Sequence, residues 1–184
     1  MVRAFIAIDV HDEEILRRIV SVQNELIRVG REGLKPVEAH NLHLTLRFLG
    51  ELTDAETQLV SEALGKLDAK AFTMSLKGLG YFPGGGRVNV IWAGVEEGAE
   101  ELRKIHSSLG RLLSGLKIEE NDKFSPHLTI CRVKFVKDKQ GLLEVIRRNS
   151  ETFFGAERVE KISLKRSVLT SSGPVYSDIS VRKI

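Results

Sequence analysis

Two short motifs of the same form lie 84 residues apart in this chain of 184 residues. Residues 41–46 read NLHLTL and residues 125–130 read SPHLTI, so each motif is His-x-Thr followed by an apolar residue. One His-x-Thr is common by chance, whereas two copies at a fixed spacing are typical of an internal repeat. The chain is therefore expected to consist of two halves on one plan, with a histidine at the same place in each.

The predicted order of helices and strands supports this repeat. Hydrophobic periodicity places the elements in two successive series. The first series is strand 2–9, helix 12–29, strand 42–49, helix 54–67 and strand 72–80, and the second is strand 88–94, helix 97–113, strand 127–132, helix 138–149, and strands 158–169 and 174–182. A shift of about 84 residues aligns the two series, which indicates a duplicated βαβαβ unit whose lobes pack around a pseudo-twofold axis. An α/β chain of this length without a duplication would also alternate in this way.

The spacing within each motif predicts which side chains share a face. On a strand, side chains two residues apart point to the same side. His43 and Thr45 therefore project together, as do His127 and Thr129. If a pseudo-twofold relates the lobes, the two pairs face each other across a cleft.

The neighbours of the histidines are assigned by the same alternation. Arg47 shares the parity of His43, so it either lines the cleft or is a solvated or ion-paired arginine. Cys131 shares the parity of His127 but is expected to be a small buried residue rather than a metal ligand. The remaining residues of the first motif are expected to face the core: Leu42, Leu44, Leu46 and Phe48.

Two histidines in one cleft suit proton transfer to and from a phosphodiester. A neutral imidazole accepts a proton from an attacking water, and an imidazolium donates one to the departing oxygen. The threonine hydroxyls can donate hydrogen bonds to phosphate oxygens as charge builds on them. A strained cyclic phosphate carries its own leaving group, so this chemistry requires no metal. A structural role for both histidines and both threonines is the competing interpretation.

The composition indicates what kind of partner the protein binds and where it is found. The net charge of +3 and the isoelectric point near 9.0 suit a polyanionic partner, although the excess charge is small. The single cysteine cannot form an internal disulfide, which favours a cytoplasmic location. No apolar run is long enough to cross a bilayer. Many charged residues beside few Asn, Gln, Cys and Met are typical of a thermophilic source.

Three segments together resemble a known family. They are residues 3–9 (RAFIAID), residues 41–51 (NLHLTLRFLGE) and residues 124–132 (FSPHLTICR). The chain resembles the two-histidine (2H) phosphoesterase superfamily, and within it the bacterial and archaeal RNA 2′,3′-cyclic phosphodiesterases once named 2′-5′ RNA ligases. The resemblance covers essentially the whole chain. It implies an α+β fold in which residues 1–184 form a single bilobal domain, with repeats of approximately 1–82 and 87–184. Each lobe is then an antiparallel sheet with two outer helices, and the active-site cleft lies between the lobes.

The resemblance also implies a reaction and roles for individual residues. The reaction is hydrolysis of an RNA 2′,3′-cyclic phosphate end to a 2′-phosphomonoester without a metal or other cofactor. We expect the protein to be a monomer and its substrates to include tRNA fragments. His43 corresponds to the family's proton donor and His127 to its proton acceptor, although their nearly identical motifs cannot order them. Thr45 and Thr129 correspond to phosphate-binding residues, and Arg132 corresponds to an arginine that clamps the phosphate. Arg132 lies five residues after His127, so it reaches the cleft only if the strand bends, bulges or ends.

Other assignments and functions stay open. The segment 81–87 is read as a glycine-rich loop, either a hairpin or the crossing between lobes, because no helix follows it to form a phosphate-binding loop. Tyr81, Phe82 or Tyr176 can be a base-stacking residue or ordinary packing. The same histidines can join RNA ends through a 2′-5′ linkage, which dilute ends in water disfavour, or act on a small cyclic nucleotide. A non-catalytic module that binds RNA ends is the alternative from another functional class.

Overall fold

A computed structural model describes residues 1–85, 87–116, 123–171 and 173–184. The described residues form four α-helices, which are α1 (Glu13–Gly30), α2 (Asp54–Gly65), α3 (Ala99–Leu112) and α4 (Lys139–Arg148). They also form nine strands, which are β1 (Val2–Asp9), β2 (Leu34–Pro36), β3 (His43–Leu52), β4 (Phe72–Gly84), β5 (Arg87–Val95), β6 (His127–Val133), β7 (Phe153–Val159), β8 (Lys161–Thr170) and β9 (Gly173–Lys183).

The strands form two antiparallel sheets. The four-stranded sheet has the order β3-β1-β8-β9, and the five-stranded sheet has the order β2-β6-β5-β4-β7. Helices α2 and α3 pack on the four-stranded sheet, whereas α1 and α4 pack on the five-stranded sheet. The predicted α+β architecture, with two outer helices on each sheet, is confirmed.

Each sheet is built from both halves of the sequence. The four-stranded sheet joins β1 and β3 of the first half to β8 and β9 of the second, and β4 of the first half pairs with β5 of the second. Helix α1 likewise packs on the sheet that holds β5 and β6. The two lobes are therefore not the two halves of the sequence, because each half contributes a helix and a long strand to the sheet that contains the His-x-Thr motif of the other half.

Local signals explain where the first two helices begin. The Asp12 side chain accepts a hydrogen bond from the Ile15 backbone at the start of α1. Thr53 and Glu56 form the reciprocal capping box that the sequence predicts for α2. Each cap satisfies backbone N–H groups that have no partner within their helix.

Three details differ from the predicted elements. The segment read as a loop at 81–87 is mostly strand, because β4 continues to Gly84 and pairs with β5, which begins at Arg87. Gly86 and Ser172, at the tips of the two predicted turns, lie outside the described residues. The sequence did not predict β2. It predicted a single strand at 158–169, where the end of β7 and most of β8 are separated by one residue.

Candidate active site

His43 is the first residue of β3, the edge strand of the four-stranded sheet, and it pairs with Asp9 on β1. Its Nδ1 donates a hydrogen bond to the Asn41 backbone oxygen at 2.7 Å. The half-buried ring packs against two aromatic rings, with centroid separations of 4.9 Å from Phe5 and 5.1 Å from Tyr176. The orientation of the His43 ring is therefore held by one hydrogen bond and two ring contacts.

His127 is held in the same way on the five-stranded sheet. It begins β6, and its Nδ1 donates to the Ser125 backbone oxygen at 2.7 Å. Its ring meets Phe82 edge-on at 5.1 Å and lies 6.2 Å from Trp92. Gly80 makes room for this arrangement, because a Cβ there would overlap the Trp92 ring.

The two hydrogen bonds determine which ring nitrogen is available for chemistry. A backbone carbonyl can only accept a hydrogen bond, so Nδ1 of each histidine must carry a proton. Nε2 is then the free nitrogen of both rings. It can accept a proton from the neutral ring or donate one from the imidazolium.

Both motifs contain a β-bulge at the same position. In the pairing of β3 with β1, Leu46 is the extra residue between Thr45 and Arg47. In the pairing of β6 with β5, Ile130 is the extra residue between Thr129 and Cys131. An extra residue inverts the alternation of side chains beyond it, because two residues on one strand then oppose one on the other.

The bulge in β6 determines on which face of the sheet the Arg132 side chain lies. Beyond Ile130, Cys131 turns to the core, where it is fully buried, and Arg132 turns to the face of His127 and Thr129. The expectation that Cys131 shares a face with His127 is wrong, although its prediction as a small buried residue is confirmed. Burial raises the pKa of the Cys131 thiol to about 12.

The bulge in β3 reverses two assignments made from simple alternation. Arg47 does not line the cleft; it is 9% exposed and approaches Gly110 of α3 on the helix-covered face. At that exposure it is not a solvated arginine, and its Nε has no hydrogen-bond partner among the described residues. Phe48 does not face the core, because 67% of it is exposed.

Thr45 and Thr129 are half-buried on the faces of their histidines, as predicted from strand parity. Within the described part of the chain, neither hydroxyl has a hydrogen-bond partner. Cross-strand pairing aligns Thr45 with the small residue Ala7 and Thr129 with Trp92. Both hydroxyls are therefore free to donate to a ligand.

Burial and the neighbouring charges together shift the pKa of His43 below its ordinary value. Burial of the ring lowers the pKa of His43, which the hydrogen bond to Asn41 and the negative charge of Asp9 oppose. The positive charges of Lys165 and Arg132 lower it further. Arg132 belongs to the other sheet, and β3 and β6 contact each other, so the two motifs lie on adjoining strands of the two sheets.

An ion triad centred on the buried Lys165 lies beside His43. Lys165 of β8 is 7% exposed, and its Nζ donates to Asp9 Oδ2 and Asp178 Oδ1, both at 2.7 Å. Burial alone would lower the pKa of Lys165, but the hydrogen bonds to the two carboxylates raise it. Lys165 pairs with Phe5, whose ring contacts His43, so it keeps its charge on the face of the sheet that carries His43. No local pattern in the sequence predicted any member of this triad.

No group of three or more His, Cys, Asp or Glu side chains is arranged to hold a metal ion within the described ranges. No helix in that part of the chain is long and apolar enough to span a bilayer.

This fold, with a His-x-Thr motif on each of two sheets, is that of a two-histidine phosphoesterase. The chain belongs to the family described as the AKAP7 2′5′ RNA ligase-like domain, whose family model matches residues 4–183. A relative from Archaeoglobus fulgidus named RNA 2′,3′-cyclic phosphodiesterase is 36% identical over 179 residues, which are 97% of this chain and 98% of that protein. A relative of the same name from Aquifex aeolicus is 40% identical over 147 residues, 78% of each chain.

Solved structures agree with this assignment. The crystal structure of TT0787 from Thermus thermophilus has a TM-score of 0.79 and 31% identity, covering 98% of this chain and 97% of that one. LigT from Escherichia coli in its apo form has a TM-score of 0.77 at 24% identity, covering 99% and 96% of the two chains, and supports the fold alone.

Proposed function

We propose that this protein hydrolyses RNA 2′,3′-cyclic phosphate ends to 2′-phosphomonoesters by general acid–base catalysis with His43 and His127. The observation that supports this most is the equivalence of the two histidines, each with Nδ1 tied to a backbone carbonyl and Nε2 free. The names of the relatives supply the substrate class.

The reaction exchanges one phosphorus–oxygen bond for another. Nε2 of neutral His127 accepts a proton from water as the water oxygen bonds to phosphorus. The bond from phosphorus to O3′ breaks, and Nε2 of protonated His43 gives its proton to O3′. The products are a 2′-phosphate and a 3′-hydroxyl, and the two histidines have exchanged protonation states.

The phosphate oxygens are bound by groups beside the histidines. The unpaired hydroxyls of Thr45 and Thr129 donate to the non-bridging oxygens, and the guanidinium of Arg132 adds a positive charge. Their interactions strengthen as negative charge builds in the transition state.

The low pKa of His43 is compatible with a proton donor once substrate is present. In the free protein, burial and the charges of Lys165 and Arg132 favour the neutral ring. A bound cyclic phosphate carries a negative charge, and an opposite charge nearby favours the imidazolium. Substrate binding therefore raises the proton occupancy of His43.

We also propose where the enzyme acts, in what oligomeric state and on which RNA. We expect a cytoplasmic monomer that acts on cyclic-phosphate ends such as those of tRNA fragments and uses no metal. Joining of RNA ends by 2′-5′ ligation needs the same acid and base, with a 5′-hydroxyl in place of water as the nucleophile that attacks phosphorus while the bond to O3′ breaks, and water at high concentration keeps it a side activity.

The first test is product analysis with a short RNA ending in a 2′,3′-cyclic phosphate, in excess EDTA. Wild type is expected to yield the 2′-phosphate, and His43→Ala and His127→Ala are each expected to lose at least about a hundredfold in kcat, as is typical for loss of a general acid or base. His11→Ala is the matched control, because His11 is exposed and outside both motifs.

The other outcomes identify the alternatives. RNA that is bound but not converted by wild type contradicts the enzyme and supports the non-catalytic RNA-end-binding module. Activity that EDTA abolishes contradicts the metal-free mechanism. Full activity in either histidine variant contradicts the two-histidine assignment.

A further inference from the structure

Lys35 and Arg132 form a pair of neighbouring cations on the five-stranded sheet. Strand β2 is an edge strand of that sheet and pairs with β6, and Lys35 lies directly opposite Arg132 in this pairing. Directly opposite residues of an antiparallel pair place their side chains on the same face. Lys35 therefore lies on the face that carries His127 and Thr129, one strand farther out than Arg132.

No acidic side chain of the described residues neutralises this pair. Lys35 and Arg132 are both exposed, and within the described part of the chain neither forms an ion pair or a side-chain hydrogen bond. Like charges directly opposite each other on neighbouring strands are destabilising. An anion bound next to both cations would offset that repulsion, so the pair is suited to a negatively charged ligand.

Lys35 also reaches the β8–β9 hairpin of the four-stranded sheet. Its Nζ lies 3.6 Å from the position that a Cβ on Gly173 would occupy. The backbone oxygen of the next residue, Pro174, accepts a hydrogen bond from the Asn41 side chain, and the Asn41 backbone oxygen holds the His43 ring. Lys35 therefore extends from the sheet of Arg132 to the segment that positions His43.

An RNA end presents two negatively charged groups to this surface. One is the cyclic phosphate, which the proposed mechanism places at the histidines and Arg132. The other is the phosphodiester that links the 5′ oxygen of the terminal ribose to the preceding nucleotide. Both groups belong to one nucleotide, so a cation one strand away from Arg132 is suited to the second phosphate, which a lysine binds as a point charge.

We propose that Lys35 binds the phosphodiester on the 5′ side of the terminal nucleotide, and that this contact makes an RNA chain a better substrate than a free cyclic nucleotide. This inference rests on the proposed function and adds the size of the substrate. A nucleoside 2′,3′-cyclic phosphate has no phosphodiester at this place, so it lacks the contact. Because a backbone phosphate is the same in every nucleotide, the contact selects for a chain and not for a sequence.

The test compares two substrates. One is a dinucleotide that ends in a 2′,3′-cyclic phosphate, and the other is the corresponding nucleoside 2′,3′-cyclic phosphate. Lys35→Met is expected to lower kcat/KM for the dinucleotide about tenfold, through KM, because a hydrogen bond between charged groups is lost, and to leave kcat/KM for the nucleoside unchanged. Lys35→Arg, which keeps the positive charge, is expected to retain the preference for the dinucleotide. Lys104→Met is the control, because it removes an exposed lysine from α3, outside both motifs.

A neutral linkage tests the same contact from the side of the RNA. With a methylphosphonate in place of the phosphodiester of the dinucleotide, wild type is expected to lose a factor of about ten in kcat/KM, and Lys35→Met is expected to lose nothing further. A methylphosphonate penalty that persists in full in Lys35→Met overturns the proposal, because the lysine and the phosphodiester then act independently.

The remaining outcomes separate this inference from the proposed function. An equal loss on both cyclic-phosphate substrates in Lys35→Met overturns the inference, since the lysine then acts on the cyclic phosphate. Wild type that converts the dinucleotide, with Lys35→Met equal to wild type, overturns the inference alone. Wild type that converts neither substrate overturns the proposed function, and with it this inference.

Discussion

At the scale of single residues, the site combines symmetric and asymmetric features. His43 and His127 each donate from Nδ1 to the carbonyl two residues earlier, at the same distance of 2.7 Å. Their surroundings differ, because His43 lies beside the Lys165 ion triad and His127 lies beside Trp92. The pKa of His43 therefore depends on charged neighbours that the motif itself does not specify.

Lys165→Met is expected to raise the pKa of His43. The positive charge of Lys165 lowers that pKa, and Lys165 also neutralises Asp9, whose negative charge raises it. Removing the lysine eliminates the first effect and strengthens the second, so both changes have the same sign. The shift is measured by NMR titration of the His43 Cε1 proton.

Two further variants control this prediction. Asp9→Asn removes a charge that raises the pKa of His43, so its effect is expected to have the opposite sign. Lys161→Met removes an exposed lysine from the same strand and is expected to change nothing. A His43 pKa that falls or stays constant in Lys165→Met would contradict the electrostatic role of the triad.

At the scale of elements, a helix side chain supports the bulge in β6. Gln23 of α1 is 4% exposed, and its Nε2 donates to the backbone oxygens of Ile130 and Val37, both at 2.8 Å. Ile130 is the extra residue of the bulge that turns Arg132 toward the cleft. The outer helix therefore helps to maintain the strand geometry on which the phosphate-binding side chain depends.

Gln23→Leu is expected to lower the free energy of unfolding by about 1–3 kcal/mol, because the Val37 and Ile130 oxygens each lose a hydrogen bond and only the Ile130 oxygen keeps another donor, the Val37 N–H. Urea denaturation followed by circular dichroism measures this change. Gln58→Leu is the matched control, since Gln58 lies on α2 and its hydrogen bond to Glu62 is exposed. Equal stability losses in the two variants would argue against the role of Gln23.

At the scale of the whole molecule, the two halves depend on each other. The strand order β3-β1-β8 corresponds to β6-β5-β4 when the halves are interchanged, whereas the next strands, β9 and β7, both come from the second half. In this correspondence β4 and β8 are equivalent, and each lies in the sheet that holds the other half's motif. The division into two repeats stays a prediction, and this reciprocal exchange supports it.

Residues 1–84 and 87–184, produced as separate chains, are each expected to remain unfolded. Strand β1 needs β8 along one edge, and β5 needs β4, so either half alone exposes apolar strand edges. Mixing the two chains is expected to restore the circular dichroism of the intact protein. A cooperative thermal transition in either half alone would contradict this interdependence.

Local patterns were sufficient to predict most elements and four of the proposed site residues. Hydrophobic periodicity located all four helices to within two residues at each end, and the capping signal at Thr53 marked the start of α2. The i, i+2 rule placed each threonine beside its histidine, because both precede the bulge. These features depend only on neighbours along the chain.

Tertiary structure decided what lies beyond the bulges and between the sheets. The sequence carries no clear local signal for the extra residues Leu46 and Ile130, so alternation placed Arg47 and Phe48 on the wrong faces and left Arg132 in doubt. The Lys165 triad joins residues up to 156 positions apart. Such contacts form only when β1, β8 and β9 pair, because strand pairing, and not distance along the chain, determines which charges meet.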